Sequence, residues 1–247
     1  MKSSRVLDWT STRADIEKAA IETVILPIGS TEQHGPHLPI GCDTMQAEAL
    51  SRRIAEKLEK VLLLPPQPYA NAIEHAGFTG TVFMRPTTLM QVLEDLVESI
   101  RRWQTVKRVV LMNLHGGNFS IKPAVRELNR RNTEPLVIAV DPNRFYPGGA
   151  EDLHAGKGET SVMMYLFGKD TYRQADGPDY VPANPNADVL NYVGMREITP
   201  DGIWGRPSEA SVQYGESVVN EFVDNVVKYI NETTDLWRLR KGRDFAS

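Results

Sequence analysis

Short apolar segments alternate with longer amphipathic ones along this chain, and this alternation constrains the fold more than any other feature. Apolar runs of strand length, without polar alternation, are typical of strands buried on both faces; they lie at 23–29, 61–65, 108–113 and 136–140. The segments between and after them carry apolar residues at helical spacing; we predict helices at 43–60, 88–103, 120–131, 158–167 and 211–236.

This alternation predicts an α/β fold with a largely parallel sheet covered by helices on both faces. Thr87 or Thr88 is expected to cap the helix at 88–103, because threonine oxygens accept hydrogen bonds from the first turn. Residues 171–210 are rich in Pro, Gly, Asn and Asp and are predicted to form a loop excursion. The length of 247 residues fits one large α/β domain or two small ones.

Composition excludes several classes of protein. Lys and Arg number 28 against 32 Asp and Glu, so the net charge of −4 argues against a nucleic-acid binder or a binder of anionic membranes. No stretch reaches the roughly 18 apolar residues that a membrane span needs. The single cysteine, Cys42, excludes an intramolecular disulfide framework, and no signal peptide is visible. We therefore expect a cytoplasmic protein.

Polar clusters follow directly after two of the predicted strands. Ligands of parallel α/β sheets bind beyond the carboxyl ends of the strands, so these clusters should meet at one edge. The first cluster, at 29–43, contains Glu32, His34 and Asp43 in a loop rich in Gly and Pro. Carboxylate oxygen and imidazole nitrogen suit zinc, manganese or iron. The alternative is a surface loop with solvated charges.

The second cluster, at 113–118, contains His115, Gly116 and Gly117. Paired glycines let the backbone approach a ligand closely, and the start of the next helix would direct amide groups at an anion. The alternative is a tight turn with a packed histidine.

Two further segments carry similar chemistry. In 152–161, His154 could serve as a general acid or base, or bond to backbone, and Glu159 opens a helix, where it could equally complement the helix dipole. In 71–81, Glu74 and His75 could touch a substrate or form a surface turn.

All five histidines of the chain lie in these four segments, and this concentration discriminates better than any single motif. Separated segments that supply Glu, His and Asp suffice for a two-metal centre, in which the ions lie ~3.5–4 Å apart, share a carboxylate and activate water. The sequence thus indicates hydrolysis at neutral pH.

The motifs GSTEQHGPHLP…D, N-x-HGGN and HAGxxETS, in this order, resemble those of the creatininase (creatinine amidohydrolase) family. The resemblance extends to EHxGFxGT and the closing helix, and so covers most of the chain. It implies a three-layer α/β/α sandwich over 1–247 as one domain, a centre of two divalent metal ions (Zn, Mn or Fe) and hydrolysis of amide-type bonds. It also implies a homo-oligomer, often a hexamer.

Carried over by position, the resemblance implies a ligand set for each ion. Glu32, Asp43 and His115 would hold one ion; His34, the bridging Asp43 and Glu159 would hold the other. His154 would be the catalytic proton shuttle. The amides around Gly116 and Gly117 could stabilise an oxyanion, which is an inference from their backbone rather than from the family.

The sequence departs from creatininase itself at two places. An aromatic and an acidic residue are expected where this chain has Gly116 and Gly117, which argues against creatinine as the substrate. Arg206 stands where an acidic residue is expected. The Gly-Gly form is more similar to relatives that act on a formamide, a peptide precursor or a cyclitol.

The leading hypothesis is therefore a metal-dependent amidohydrolase for a small cyclic amide or formamide, in which a metal-bridging hydroxide attacks the carbonyl and Glu159 and His154 serve catalysis. Alternatives are a hydrolase of a cyclic ketone or cyclitol and a peptide-cleaving maturation enzyme. A non-catalytic metal-binding protein is the least favoured.

Overall fold

The computed structural model describes residues 6–131, 134–146, 148–168 and 178–241. Its strands are β1 Leu7–Asp8, β2 Thr23–Ile28, β3 Val61–Leu63, β4 Arg108–Asn113 and β5 Leu136–Val140. Its α-helices are α1 Arg13–Ala19, α2 Cys42–Glu56, α3 Pro86–Arg101, α4 Ile121–Arg131, α5 Pro142–Phe145, α6 Lys157–Phe167, α7 Met195–Ile198 and α8 Val212–Lys241. Short 3-10 helices cover Ile73–His75, Ala187–Asn191 and Pro207–Glu209.

The five strands form one parallel sheet in the order β1-β3-β2-β4-β5. The central pair, β2 and β4, is in register from Thr23 opposite Arg108 to Ile28 opposite Asn113. All six residues of β2 are buried, as expected of a strand covered on both faces. Because β2 and β4 end side by side, the loops that follow them start next to each other.

Alternate strand residues enter two separate hydrophobic cores. Ile25 and Val110 face α2, α6 and α8, whereas Val24 and Val109 face α1, α3 and α4. The α/β class and the three-layer α/β/α arrangement are thus confirmed. None of the helices in the described ranges is long and apolar enough to cross a membrane.

The structure corrects two local predictions. The helix predicted at 88–103 begins at Pro86, whose fixed φ suits the first turn, so neither Thr87 nor Thr88 caps it; Arg85 precedes the helix without a side-chain cap bond. Within 178–210 the predicted loop contains α7 and two 3-10 helices, which the Pro and Gly content concealed. The part at 171–177 lies outside the described residues.

Candidate metal centre

The structure gathers the predicted acidic and imidazole residues at the carboxyl edge of the sheet. The loop after β2, the first turn of α2, the 3-10 helix after β3, the loop after β4, the segment just before α6 and the start of α6 all contribute. The residues brought together are Glu32, His34, Asp43, Glu74, His75, His115, His154 and Glu159.

Glu32 lies at the middle of this cluster. Its side chain is 1% exposed, and four imidazoles surround its Oε1 atom. The distances from Oε1 are 3.2 Å to His115 Nδ1, 3.7 Å to His75 Nε2, 3.8 Å to His154 Nδ1 and 4.0 Å to His34 Nε2. Among the residues that the structure describes, neither carboxylate oxygen of Glu32 has a hydrogen-bond partner.

Asp43 lies between two of these rings. Its Oδ1 atom is 3.1 Å from His34 Nε2, and its Oδ2 atom is 3.0 Å from His115 Nδ1. The Ser30 hydroxyl donates to Oδ2 over 2.9 Å and fixes the carboxylate. On the far side of His34, Glu159 Oε2 lies 3.8 Å from the same Nε2 atom. Asp43 therefore contacts both rings, one through each carboxylate oxygen.

Main-chain carbonyls fix which nitrogen of each ring faces these carboxylates. His34 Nδ1 lies 3.1 Å from Glu32 O, and His115 Nε2 lies 2.7 Å from Asn71 O. A carbonyl only accepts, so these ring nitrogens carry the protons. In the neutral rings, the lone pairs of His34 Nε2 and His115 Nδ1 then face carboxylate oxygens.

The carboxylates and the facing nitrogens of the neutral His34 and His115 rings converge as acceptors, and such a set fits a divalent cation. Three groups of ligand atoms lie within 4.8 Å of one another, and they are Glu32, Asp43, His115; Glu32, His34, His154; and His34, Cys42, Asp43. The unpartnered oxygens of Glu32 support the same conclusion, because a buried carboxylate without donors is costly unless a cation satisfies it.

The pKa values of His115, His34 and Asp43 are all shifted toward the charged forms of these groups. Burial works to lower the pKa of His115, but the Glu32 charge and the contact with Asp43 outweigh it and raise that pKa well above its ordinary value. Burial also opposes the shift at His34, where the Asp43 charge and hydrogen bonds with Asp43 and Cys42 raise the pKa well above normal. Conversely, His34 and His115 outweigh burial at Asp43 and hold its pKa well below normal.

The pKa values of Glu159 and His154, which both lie in the motif HAGxxETS, are shifted in a different way. Burial raises the pKa of Glu159 to about 7, against the opposing charge of His34. Burial, followed by the charges of His34 and His75, lowers the pKa of His154 well below its ordinary value. A ring that stays neutral can accept a proton, as a general base must.

Gly117 and Glu74 share one small volume beside His115. Glu74 Oε1 lies 3.5 Å from His115 Nε2. A Cβ atom on Gly117 would lie 1.9 Å from that oxygen and 2.4 Å from the ring nitrogen, so only glycine fits. At Gly116, by contrast, a Cβ would meet only Asn143 Oδ1, at 3.8 Å, and a cleft of about 130 Å³ opens there.

Sequence reasoning missed Gln33, whose buried side chain contacts both His75 and His154. Its position between Glu32 and His34 was the only available signal. Cys42 packs in a small apolar cluster, and burial raises the pKa of its thiol to about 11. Arg206 lies at the surface, where it donates to Glu151 over 2.9 Å.

The fold and the acid–imidazole cluster define a class, namely α/β proteins whose strand ends can hold divalent cations. A family model for creatininase, described as creatinine amidohydrolase, matches residues 7–230. The chain therefore belongs to the creatininase family, whose members are hydrolases that act on amide-type C–N bonds.

Individual relatives are similar over nearly the whole chain. The mycofactocin precursor peptide peptidase of Mycobacterium ulcerans (strain Agy99) is 33% identical over 226 residues, which is 86% of this chain and 86% of the relative. The creatinine amidohydrolase of Pseudomonas putida is 29% identical over 254 residues, which is 92% of this chain and 95% of the relative. A solved manganese form of creatininase has a TM-score of 0.79 at 23% identity and covers 93% of this chain and 99% of its own, which shows the shared fold.

Proposed function

We propose that this chain is a divalent-metal-dependent amidohydrolase that cleaves a C–N bond in a small cyclic amide or formamide. The observation that carries the proposal is the buried carboxylate of Glu32, which four imidazoles surround while both its oxygens lack hydrogen-bond partners within the described ranges. Such an arrangement costs stability unless it serves a bound cation.

Two adjoining ligand sets would hold the ions. Glu32, Asp43 and His115 would hold one ion, and His34, Asp43 and Glu159 would hold the other. Mixed oxygen and nitrogen ligands accept Zn, Mn or Fe. When bound, such ions supply Lewis-acid polarisation of a carbonyl and lower the pKa of water.

The protein's own groups would handle protons and charge. The neutral His154 ring faces the cluster through Nδ1, 3.8 Å from Glu32 Oε1, and can move a proton to the leaving nitrogen. The amides of Gly116 and Gly117 donate no hydrogen bond within the described part of the chain, so they are free to stabilise an oxyanion.

A second candidate substrate is the end of a peptide. The cleft beside Gly116 is lined by Asn143 and by the ion-paired Lys122 and Asp141, so polar groups that could bind a longer substrate lie next to this glycine. The 33% identity to a peptide peptidase supports this reading. A peptide would lie along the ends of β4 and β5.

The proposal extends to assembly and location. Large apolar side chains are exposed near the 3-10 helix that carries Glu74, at Tyr69, Ile73, Val82 and Phe83. Neighbouring exposed apolar residues mark interaction surfaces, so we propose a homo-oligomer, with a hexamer as the arrangement to test. The reduced, buried Cys42 fits a cytoplasmic location.

A metal-replete activity screen tests this function. Lactams, formamides, short peptides and cyclitol ketones would each be incubated with protein loaded with zinc, manganese or iron, and amine release would be measured beside metal content. We expect an amide to be hydrolysed, activity to vanish with a chelator and to return with metal. Less than one metal ion per chain after loading, or hydrolysis of cyclitol ketones alone, would contradict the proposal.

A further inference from the structure

The Gln33 side chain is held in one orientation by main-chain groups. Its Oε1 atom accepts from Gly35 N over 2.9 Å, and its Nε2 atom donates to Gly202 O over 3.0 Å. An amide N–H only donates and a carbonyl only accepts, so these bonds distinguish the oxygen from the nitrogen. Gly202 has φ of 75°, and a Cβ there would lie 2.0 Å from Gln33 Oε1, so the glycine leaves room for this amide.

This orientation decides where His75 carries its proton. His75 Nδ1 lies 2.9 Å from Gln33 Nε2, which is a donor. The ring nitrogen must accept that bond, so the neutral ring is protonated at Nε2. Nε2 faces the metal centre, 3.7 Å from Glu32 Oε1. His75 therefore presents an N–H donor to the centre.

The main-chain carbonyl of Gln33 determines which ring nitrogen of His154 carries the proton. His154 Nε2 lies 2.8 Å from Gln33 O, and because a carbonyl only accepts, this nitrogen carries the proton. Gln33 Nε2 also lies 3.1 Å from His154 Nε2, but both amide hydrogens are already directed at Gly202 and His75. The remaining ring nitrogen, Nδ1, lies 3.8 Å from Glu32 Oε1. His154 therefore presents a lone pair to the centre.

We propose that Gln33 is a positioning residue that sets the tautomers of His75 and His154, so that one ring offers a donor and the other an acceptor to the same substrate. This assignment rests on the proposed amide hydrolysis. A residue that fixes ring orientation in this way typically changes activity 10–100-fold when it is replaced, without touching the substrate.

The two rings then have complementary tasks. His154 Nδ1 accepts a proton from the attacking water as the new C–O bond forms, and His75 Nε2–H donates to the carbonyl oxygen as it becomes negative. The C–N bond breaks when His154 Nδ1–H gives its proton to the leaving nitrogen. The second hydrogen of the water stays with the carboxylic acid product, and both rings return to their starting tautomers.

Nitrogen NMR of the zinc-loaded protein, labelled with ¹⁵N at histidine, tests the assignment without any substrate. Only five histidines contribute signals, and single histidine variants assign them. We expect protonated Nε2 and unprotonated Nδ1 at both His75 and His154. A proton on Nδ1 of either ring would overturn the proposal. The expected tautomers in a protein that hydrolyses no amide would overturn the proposed function alone.

The variant Gln33→Glu tests the causal role of the amide. A carboxylate cannot donate, so we expect His75 to move its proton to Nδ1, zinc content to stay unchanged and kcat to fall about 10–100-fold. Gln67→Glu is the matched control, because the amide of the half-buried Gln67 donates to Tyr69 O and contacts no histidine among the described residues. If the introduced charge prevents folding, Gln33→Met keeps the length and removes the donor. An unchanged His75 tautomer in whichever variant folds would overturn the proposal.

Discussion

The two ends of the central strands place carboxylates in opposite surroundings. At the amino end, Glu22 accepts from Lys60 over 2.5 Å and from Lys107 over 2.7 Å, with its side chain 28% exposed. At the carboxyl end, Glu32 is 1% exposed and its oxygens lack hydrogen-bond partners within the described ranges. Hydrogen bonds from Lys107 and Lys60 lower the pKa of Glu22 to about 2.

This difference separates a carboxylate that serves stability from one that serves a ligand. The Glu22 carboxylate replaces part of its water by the ammonium groups of Lys60 and Lys107 and stays partly solvated. Its net contribution to the free energy of unfolding is therefore small. Glu32 gives up water and receives no hydrogen bond from the residues that the structure describes, which lowers the stability of the metal-free protein. Replacing each glutamate by glutamine should therefore change stability in opposite directions.

The largest effect is expected for Glu32→Gln. Loss of this carboxylate should reduce bound metal and lower turnover about 10³-fold or more, the upper range for one electrostatic group. The chelator-treated variant should be more stable than chelator-treated wild type by about 1–3 kcal/mol, because an unsatisfied buried charge is gone. Metal analysis, turnover and urea unfolding measure these quantities. A metal-free variant that is less stable than metal-free wild type would contradict the idea that the Glu32 carboxylate destabilises the protein when no metal is bound.

His154→Ala should separate proton transfer from metal binding. We expect metal content to remain and turnover to fall about 10²-fold or more, the usual contribution of a general acid or base. The control is His37→Gln, which changes a buried histidine that contacts the Thr160 hydroxyl over 3.0 Å. Metal analysis and kcat measure both variants. Unchanged turnover in His154→Ala on the true substrate would exclude His154 from the mechanism.

A smaller effect is expected for Gly117→Ala. The new Cβ would lie 1.9 Å from Glu74 Oε1 and 2.4 Å from His115 Nε2, so one of these groups must move. Disturbing a group that orients a ligand typically costs 10–100-fold in metal affinity. Competition with a chromogenic chelator measures this loss, and Gly116→Ala, where the space is open, is the control. Equal affinity in both variants would contradict the close packing around His115.

The sequence was sufficient where structure depends on local pattern. The strands at 108–113 and 136–140 have the predicted bounds, because continuous apolar residues leave few alternatives. The meeting of motifs at the sheet edge follows from parallel strand ends. The role of Gln33 could not be predicted, because its bond to Gly202 joins residues 169 positions apart. The close approach of Glu74 to Gly117 could not be predicted either, because it depends on how two loops pack.

Glu22→Gln should have the smallest effect and completes the comparison. The variant loses two ion pairs near the surface, so we expect it to be less stable than wild type by about 0.2–1 kcal/mol at neutral pH, and less so in high salt. The pKa of Glu22 is lowered from 4.5 to about 2 in the folded protein, so its contribution is full above pH 4.5 and declines as the pH falls toward 2. Urea unfolding of both proteins across this range measures the difference, with Glu232→Gln in an exposed helical pair as the control. A destabilisation that does not shrink on acidification would mean that Glu22 acts through packing rather than charge. The difference between Glu22 and Glu32 could then not be explained by their electrostatic surroundings.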